Sequence, residues 1–174
     1  GNTVSGIAMF TSSTGFTTYG TLCGIYVEAG NANIGTVAGN TIGAASGTGA
    51  IYLASNSLLV VQGKVVGIRA GSTGTINVQN NIIGAITASG CNSTQVNSIT
   101  GISTGGAGTF SISSNTIGNS TPENLKVGYF TTAGNLSVNG TPTTTTGTVL
   151  PFIGIEASSS AGDISITGNT IQGF

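Results

Sequence analysis

Gly101-Ile102-Ser103-Thr104-Gly105, a short Gly/Ala turn, then Thr109-Phe110-Ser111-Ile112-Ser113-Ser114-Asn115-Thr116-Ile117-Gly118: this stretch decides the fold. Phe110 and Ile112 alternate with Ser111 and Ser113, the period of a half-buried strand and not of a helix. The run ends on Asn-Thr-Ile-Gly. The same order recurs from Gly24-Ile25 to Asn40-Thr41-Ile42-Gly43, from Gly67-Ile68 to Asn81-Ile82-Ile83-Gly84, and from Gly154-Ile155 to Asn169-Thr170-Ile171. Gly1-Asn2-Thr3-Val4 matches the end of one more copy. Constant motifs around variable spacers mark a solenoid. Asn40 and Asn81 lie 41 residues apart and Asn81 and Asn115 lie 34 apart, long for a minimal coil, so the coils carry insertions.

Laying the copies over one another predicts the core. Ile25, Ile68, Ile102 and Ile155 form one inward column. Val37, Val78, Ile112 and Ile166 form a second, and Ile42, Ile83, Ile117 and Ile171 a third. The charged residues of these segments, Glu28, Arg69, Glu156 and Asp163, all fall on the outward phase. Cys23 aligns with Val66, Thr100 and Ile153 on the inward phase and reads as a small buried hydrophobe. A single coil cannot bury its apolar face, so each needs another at a strand spacing of about 4.8 Å. The asparagines Asn2, Asn40, Asn81, Asn115 and Asn169 fall in one column. They read as a structural amide ladder that caps a turn, in preference to a row of ligand-binding side chains.

Composition sets the function classes aside one by one. Charged residues are 4% of the chain, with no His and a net charge of −1; soluble domains carry about 25%. Such a chain offers no basic patch to nucleic acid or to an anionic membrane surface. No apolar run approaches the roughly 18 residues of a membrane span, and no signal peptide opens the sequence. The 30 glycines follow no collagen period, and 38% hydrophobic content at regular positions argues against disorder. The match between Gly168-Asn169-Thr170-Ile171 and Gly1-Asn2-Thr3-Val4 is expected to let copies or adjacent repeats join end to end, with uncapped ends. Cys23 and Cys91 form no CxxC pair, and their redox state stays open.

No catalytic or cofactor-binding constellation is found, and no metal site. A nucleophilic triad lacks its His base. The carboxylates are Glu28, Glu123, Glu156 and Asp163. Glu28 and Glu156 sit three coils apart, roughly 14 Å, beyond the about 5–9.5 Å that glycoside hydrolysis uses. A rival use rests on Thr3, Thr41, Thr116 and Thr170, an outward row interrupted by Ile82 that could bind ice. The sequons at Asn92, Asn119, Asn135 and Asn139 are expected by chance in a chain so rich in Asn, Ser and Thr.

The motifs Gly39-Asn40-Thr41-Ile42-Gly43, Ser114-Asn115-Thr116-Ile117-Gly118 and Ile164-Ser165-Ile166-Thr167-Gly168-Asn169-Thr170-Ile171 resemble right-handed parallel β-helix repeats. They are similar to those of very large secreted bacterial surface adhesins and filament proteins of the Bacteroidota type. That resemblance implies export, surface attachment and end-to-end length. The expectation is therefore an all-β, right-handed parallel β-helix of about four coils over residues 1–174, with a protruding insertion at about 119–153. Its expected use is as an extracellular structural fibre segment without enzymatic activity or cofactor. Its expected partners are copies or adjacent repeats, with surface glycans as possible loop contacts.

Overall fold

The computed structural model describes residues 1–11, 20–55, 63–90, 97–129, 152–157 and 162–173. Among them there are seventeen strands and no helix. The first coil is β1 (Thr3–Val4), β2 (Ile7–Thr11), β3 (Leu22–Val27) and β4 (Ala32–Ile34). The second is β5 (Thr41–Gly43), β6 (Ile51–Ser55), β7 (Lys64–Gly71) and β8 (Thr75–Gln79). The third is β9 (Ile82–Gly84), β10 (Ile86–Gly90), β11 (Ser98–Gly105) and β12 (Thr109–Ser113). The fourth is β13 (Thr116–Ile117), β14 (Leu125–Tyr129), β15 (Phe152–Ala157) and β16 (Ile164–Thr167). β17 (Thr170–Ile171) begins the next coil.

Every fourth strand pairs with the last, always parallel. The result is four sheets, A (β1-β5-β9-β13-β17), B (β2-β6-β10-β14), C (β3-β7-β11-β15) and D (β4-β8-β12-β16). This is a parallel β-solenoid and not a closed barrel. Alternation along each strand sends one set of side chains to the shared interior. Ile42, Ile68, Ile76, Ile83, Ile102, Ile112 and Ile117 are fully buried there.

The recurrent Gly-Ile pair has a packing cause. A Cβ on Gly67 would lie 2.5 Å from the Gly101 carbonyl oxygen and 2.8 Å from Cγ2 of Ile83. Gly101 stands in the same relation to Gly154 and Ile117. The missing side chain lets the sheet A isoleucine press on the backbone in the middle of a sheet C strand. The next residue, the isoleucine of the pair, is buried in the core.

The structure corrects the expected core in one place. Val37 is 99% exposed. Ile34 pairs with Val78 and fills the second column instead. Counting back from the ladder asparagine finds Val78, Ile112 and Ile166 correctly. It fails in the first coil because the corner between β4 and β5 is longer and holds Thr36, Val37 and Ala38. Val66 and Cys23 share their predicted column with Thr100 and Ile153. Val66 is fully buried, yet it stands outside the central cluster that holds its neighbours Val65 and Ile68. Ile166 and Ile171 lie in their expected columns but are 46% and 42% exposed, because among the described residues no strand covers their outer side. Ile25 and Ile155 are half-buried for the same reason at opposite ends.

The stretch 119–129, read from sequence as the start of an insertion, contains β14, which pairs with β10 from Ile86↔Leu125 to Gly90↔Tyr129. Residues 130–151 of the expected insertion, Cys91 and the sequons at Asn92, Asn135 and Asn139 lie outside the described residues.

Two substitutions separate the interior from the longer corner. Ile68→Ala should lower unfolding stability by about 2–5 kcal/mol through the cavity it leaves. Val37→Ala should stay within about 0.5 kcal/mol of the parent. Denaturant titration of both checks this.

Candidate functional site

The most regular polar feature is the asparagine column, and its geometry is repeated at each step. The backbone N–H of Asn2 donates to Oδ1 of Asn40 at 3.0 Å, Asn40 to Asn81 at 3.0 Å, Asn81 to Asn115 at 3.0 Å, and Asn115 to Asn169 at 3.0 Å. The side-chain Nδ2 follows the same path, at 3.2 Å from Asn2 and 2.9 Å from Asn40, Asn81 and Asn115. The second amide hydrogen turns inward to a carbonyl of the coil behind. Asn81 Nδ2 reaches Ile34 O at 3.0 Å, Asn115 Nδ2 reaches Val78 O at 2.9 Å, and Asn169 Nδ2 reaches Ile112 O at 2.8 Å. Asn81 and Asn115 are buried, so these bonds satisfy backbone groups at a corner where the ladder of strand pairing is interrupted.

The local backbone explains why asparagine holds this position. At three of the corners the residue before the ladder asparagine is left-handed: Asn80 at φ 58°, Ser114 at 57° and Gly168 at 61°, whereas Gly39 before Asn40 is not. At those three corners the turn precedes the side chain that runs along the stack. From asparagine to asparagine the donation runs one way, from the first coil towards the last. Threonine follows asparagine on the outer side, and Thr3, Thr41, Ile82, Thr116 and Thr170 lie in one register row of sheet A.

A second polar cluster escaped sequence reading. Lys64 Nζ lies 3.4 Å from Glu156 Oε2. Ser103 Oγ donates to the same carboxylate oxygen at 3.0 Å, and Arg69 Nη1 donates to Ser103 Oγ at 2.8 Å. Arg69, Ser103 and Glu156 occupy one register column of sheet C, on successive coils. Lys64 and Glu156 are 92 residues apart, and no local pattern links them. Lys126 and Glu123 form a separate surface pair at 2.8 Å, and Glu28 and Asp163 are exposed elsewhere. Of the sequons, Asn119 is described. Its Nδ2 donates to Ala45 O and its Oδ1 accepts from Thr121 N.

Cys23 is a free thiol, half-buried, and donates to Ile25 O at 3.2 Å. Burial raises its pKa, and the backbone contacts to Arg69 and Ile25 and the Arg69 charge only partly offset that. At one end of the solenoid a hollow of about 510 Å³ opens, lined by Asn2, Val4, Ile25, Ile34, Val37 and Asn40. It is the outer side of the apolar columns themselves. At the other end Ile166 and Ile171 are exposed. No helix among the described residues is long and apolar enough to cross a membrane. No family model, curated protein or solved structure matches the chain.

Removing a ladder amide in the middle should cost more than removing one at the edge. Asn81→Ala orphans a buried Asn40 N–H and two carbonyls and should lose about 2–4 kcal/mol. Asn2→Ala, at an exposed position, should lose under about 1 kcal/mol. Thermal unfolding of the two variants compares them. The Cys23 thiol titrates higher folded than unfolded. Its contribution is full below the unfolded thiol pKa and is lost as pH rises through the folded one. The fall in stability between pH 8 and pH 10 should therefore be smaller in Cys23→Ala than in the parent, measured by denaturant midpoints.

Proposed function

We propose that this chain is a structural segment of an extracellular β-solenoid fibre, joined end to end, serving adhesion or matrix scaffolding. One observation carries the reading. Among the described residues the apolar columns and the asparagine ladder pass from coil to coil without change of chemistry, and their outermost members are exposed. Val4, Ile25 and Ile34 meet the hollow at one end, and Ile166 and Ile171 stand exposed at the other. A heterologous contact between two such faces, stacked along the coil axis, propagates as a fibre. The same backbone edges favour further parallel strands.

The near absence of charge suits this role, because in-register stacking sets like residues about 4.8 Å apart and a charged column would repel itself. The work is mechanical: a stiff rod that holds other surfaces at a distance. Its partners are copies or adjacent repeats, with surface glycans as the contact proposed along its sides. No catalytic step and no cofactor belong to this reading.

A second reading has one observation in its favour. The outward row Thr3, Thr41, Thr116 and Thr170 lies in register and could order water as an ice-binding face. Sheet A is two or three residues wide, and Ile82 interrupts the row, so the fibre is preferred.

Electron microscopy of the purified chain over a concentration series tests the choice. Rods of constant width that lengthen with concentration are expected. A monodisperse monomer at every concentration would count against the fibre, and thermal hysteresis in the same sample would favour the ice-binding face.

A further inference from the structure

Sheet C is bent at its glycines, and the bend makes its outer face concave. The pairing register passes over Gly24, Gly67, Gly101 and Gly154. Val65 and Ile68 both lie in the core, as do Ile99 and Ile102, whereas unbroken alternation sends only every second residue inward. The backbone at Gly67 and Gly101 therefore pushes into the interior, against Ile83 and Ile117. The outer side chains before and after each glycine turn towards one another. Lys64 and Glu156 measure the bend. Lys64 pairs with Ser98, and Glu156 stands in the column of Ser103, five residues further along and two coils from Lys64. On a straight strand those offsets are about 16 Å and about 10 Å, more than the two side chains span together. Yet Lys64 Nζ and Glu156 Oε2 are 3.4 Å apart.

Their meeting point lies over the third coil, because Glu156 Oε2 also accepts from Ser103 Oγ. On that coil, on the same outer face, Ser98 is 2% exposed and Thr100 is fully buried. Ser98 Oγ and Thr100 Oγ1 have no hydrogen-bond partner among the described residues. Lys64 is itself buried. Its acceptor at 3.4 Å lies well beyond the about 2.7–2.9 Å of a charge-assisted bond. An ammonium carries three N–H donors, so the groove holds donors without acceptors. Arg69 adds to the surplus: its Nη1 donates to Ser103, while its Nε is buried without a partner among the described residues. Two of the three cationic side chains of the chain thus share one groove with a single carboxylate.

We propose that this groove binds a carboxylate, as borne by an acidic sugar of a surface glycan or by a free organic acid, with Lys64, Ser98 and Thr100 as its donors. A buried donor without an acceptor is costly, and a ligand that supplies the acceptor removes that cost. Charge selects a monoanion. Lys64 and Arg69 outweigh Glu156 by one unit, so one carboxylate brings the cluster to neutrality. A phosphate, with nearly two negative charges, overshoots it beside Glu156. A neutral sugar leaves the surplus charge uncompensated. The entrance is at Glu156, whose side chain is 40% exposed against 11% for Lys64, and Glu156 yields Lys64 as the ligand arrives. These residues belong to the second, third and fourth coils, so the site is complete whether or not copies join end to end.

Isothermal titration calorimetry of the full chain at constant ionic strength, set with sodium chloride, tests this. Acetate and glucuronate should each bind at one site per chain, inorganic phosphate more weakly, and glucose not at all. Tighter binding of glucuronate than of acetate assigns the site to an acidic sugar, and equal binding assigns it to a free organic acid. Thr100→Val keeps the side-chain shape and removes its hydroxyl, and Ser98→Ala removes the other. Both should keep the β-sheet circular dichroism of the parent and weaken acetate binding by about tenfold, the worth of a hydrogen bond to a charged group. Lys64→Met should abolish binding. Glu156→Gln should strengthen it, because a competing negative charge beside Lys64 is gone. A cluster that only clips the coils together gives the opposite result, with Glu156→Gln less stable and no more able to bind. If neither acetate nor glucuronate binds, or if binding is undiminished in Thr100→Val and Lys64→Met, the proposal is wrong. Either result leaves the fibre reading to its own test of rod growth.

Discussion

The whole structure depends on one requirement: each residue must tolerate its counterpart directly above and below at the distance of a hydrogen-bonded strand. Isoleucine satisfies it inside, since a branched apolar side chain packs well on another of its kind. Asparagine satisfies it at the corner, since a primary amide is both donor and acceptor and can bond an identical neighbour. Glycine satisfies it where a sheet A isoleucine presses on the sheet C backbone. Charged residues satisfy it where like charges do not stack, as with Arg69, Ser103 and Glu156 along one column of sheet C. The unusual composition is therefore what in-register stacking selects.

Much of this was legible in the sequence, for a definite reason. A solenoid repeats its environment, so aligned residues report one environment several times over. The inward positions of Ile68, Ile102, Ile112 and Ile117, and the ladder at Asn40, Asn81 and Asn115, follow from that redundancy. The failures come where the repeat is broken. Val37 was misplaced because the corner before Asn40 is longer than its counterparts, and spacing alone cannot reveal which residue an insertion displaces. The Lys64–Glu156 contact joins different coils and different positions of the repeat, so no periodicity exposes it. The strand Leu125–Tyr129 was absorbed into a neighbouring insertion because its sequence, Leu-Lys-Val-Gly-Tyr, shares no motif with Ile-Thr-Ala-Ser-Gly, on which it pairs.

Stacking also divides the labour among residues in a way that bears on function. Nearly all distinctive residues of the coil serve the coil: isoleucines fill it, glycines turn it, asparagines link it. What faces outward on sheet D is small and neutral, Asn33, Asn77, Ser111 and Ser165 in one row, with Asn77 donating to Asn33 at 2.7 Å. Such a face binds to itself along the stack before it binds anything else. A scaffold of this kind makes length and stiffness its first product, and recognition then depends on what departs from the repeat.

The one-way donation along the asparagine column has an electrical meaning. Each side-chain amide is a dipole, and here they are aligned head to tail, as peptide units are in a helix. A body almost without net charge thus acquires a vector along its axis. Lengthening it adds to that vector without altering its sign. Its two tips are consequently unlike in what they offer an approaching group, one presenting carbonyl oxygen and the other amide hydrogen, so that anything fastening to such a rod meets a front and a back.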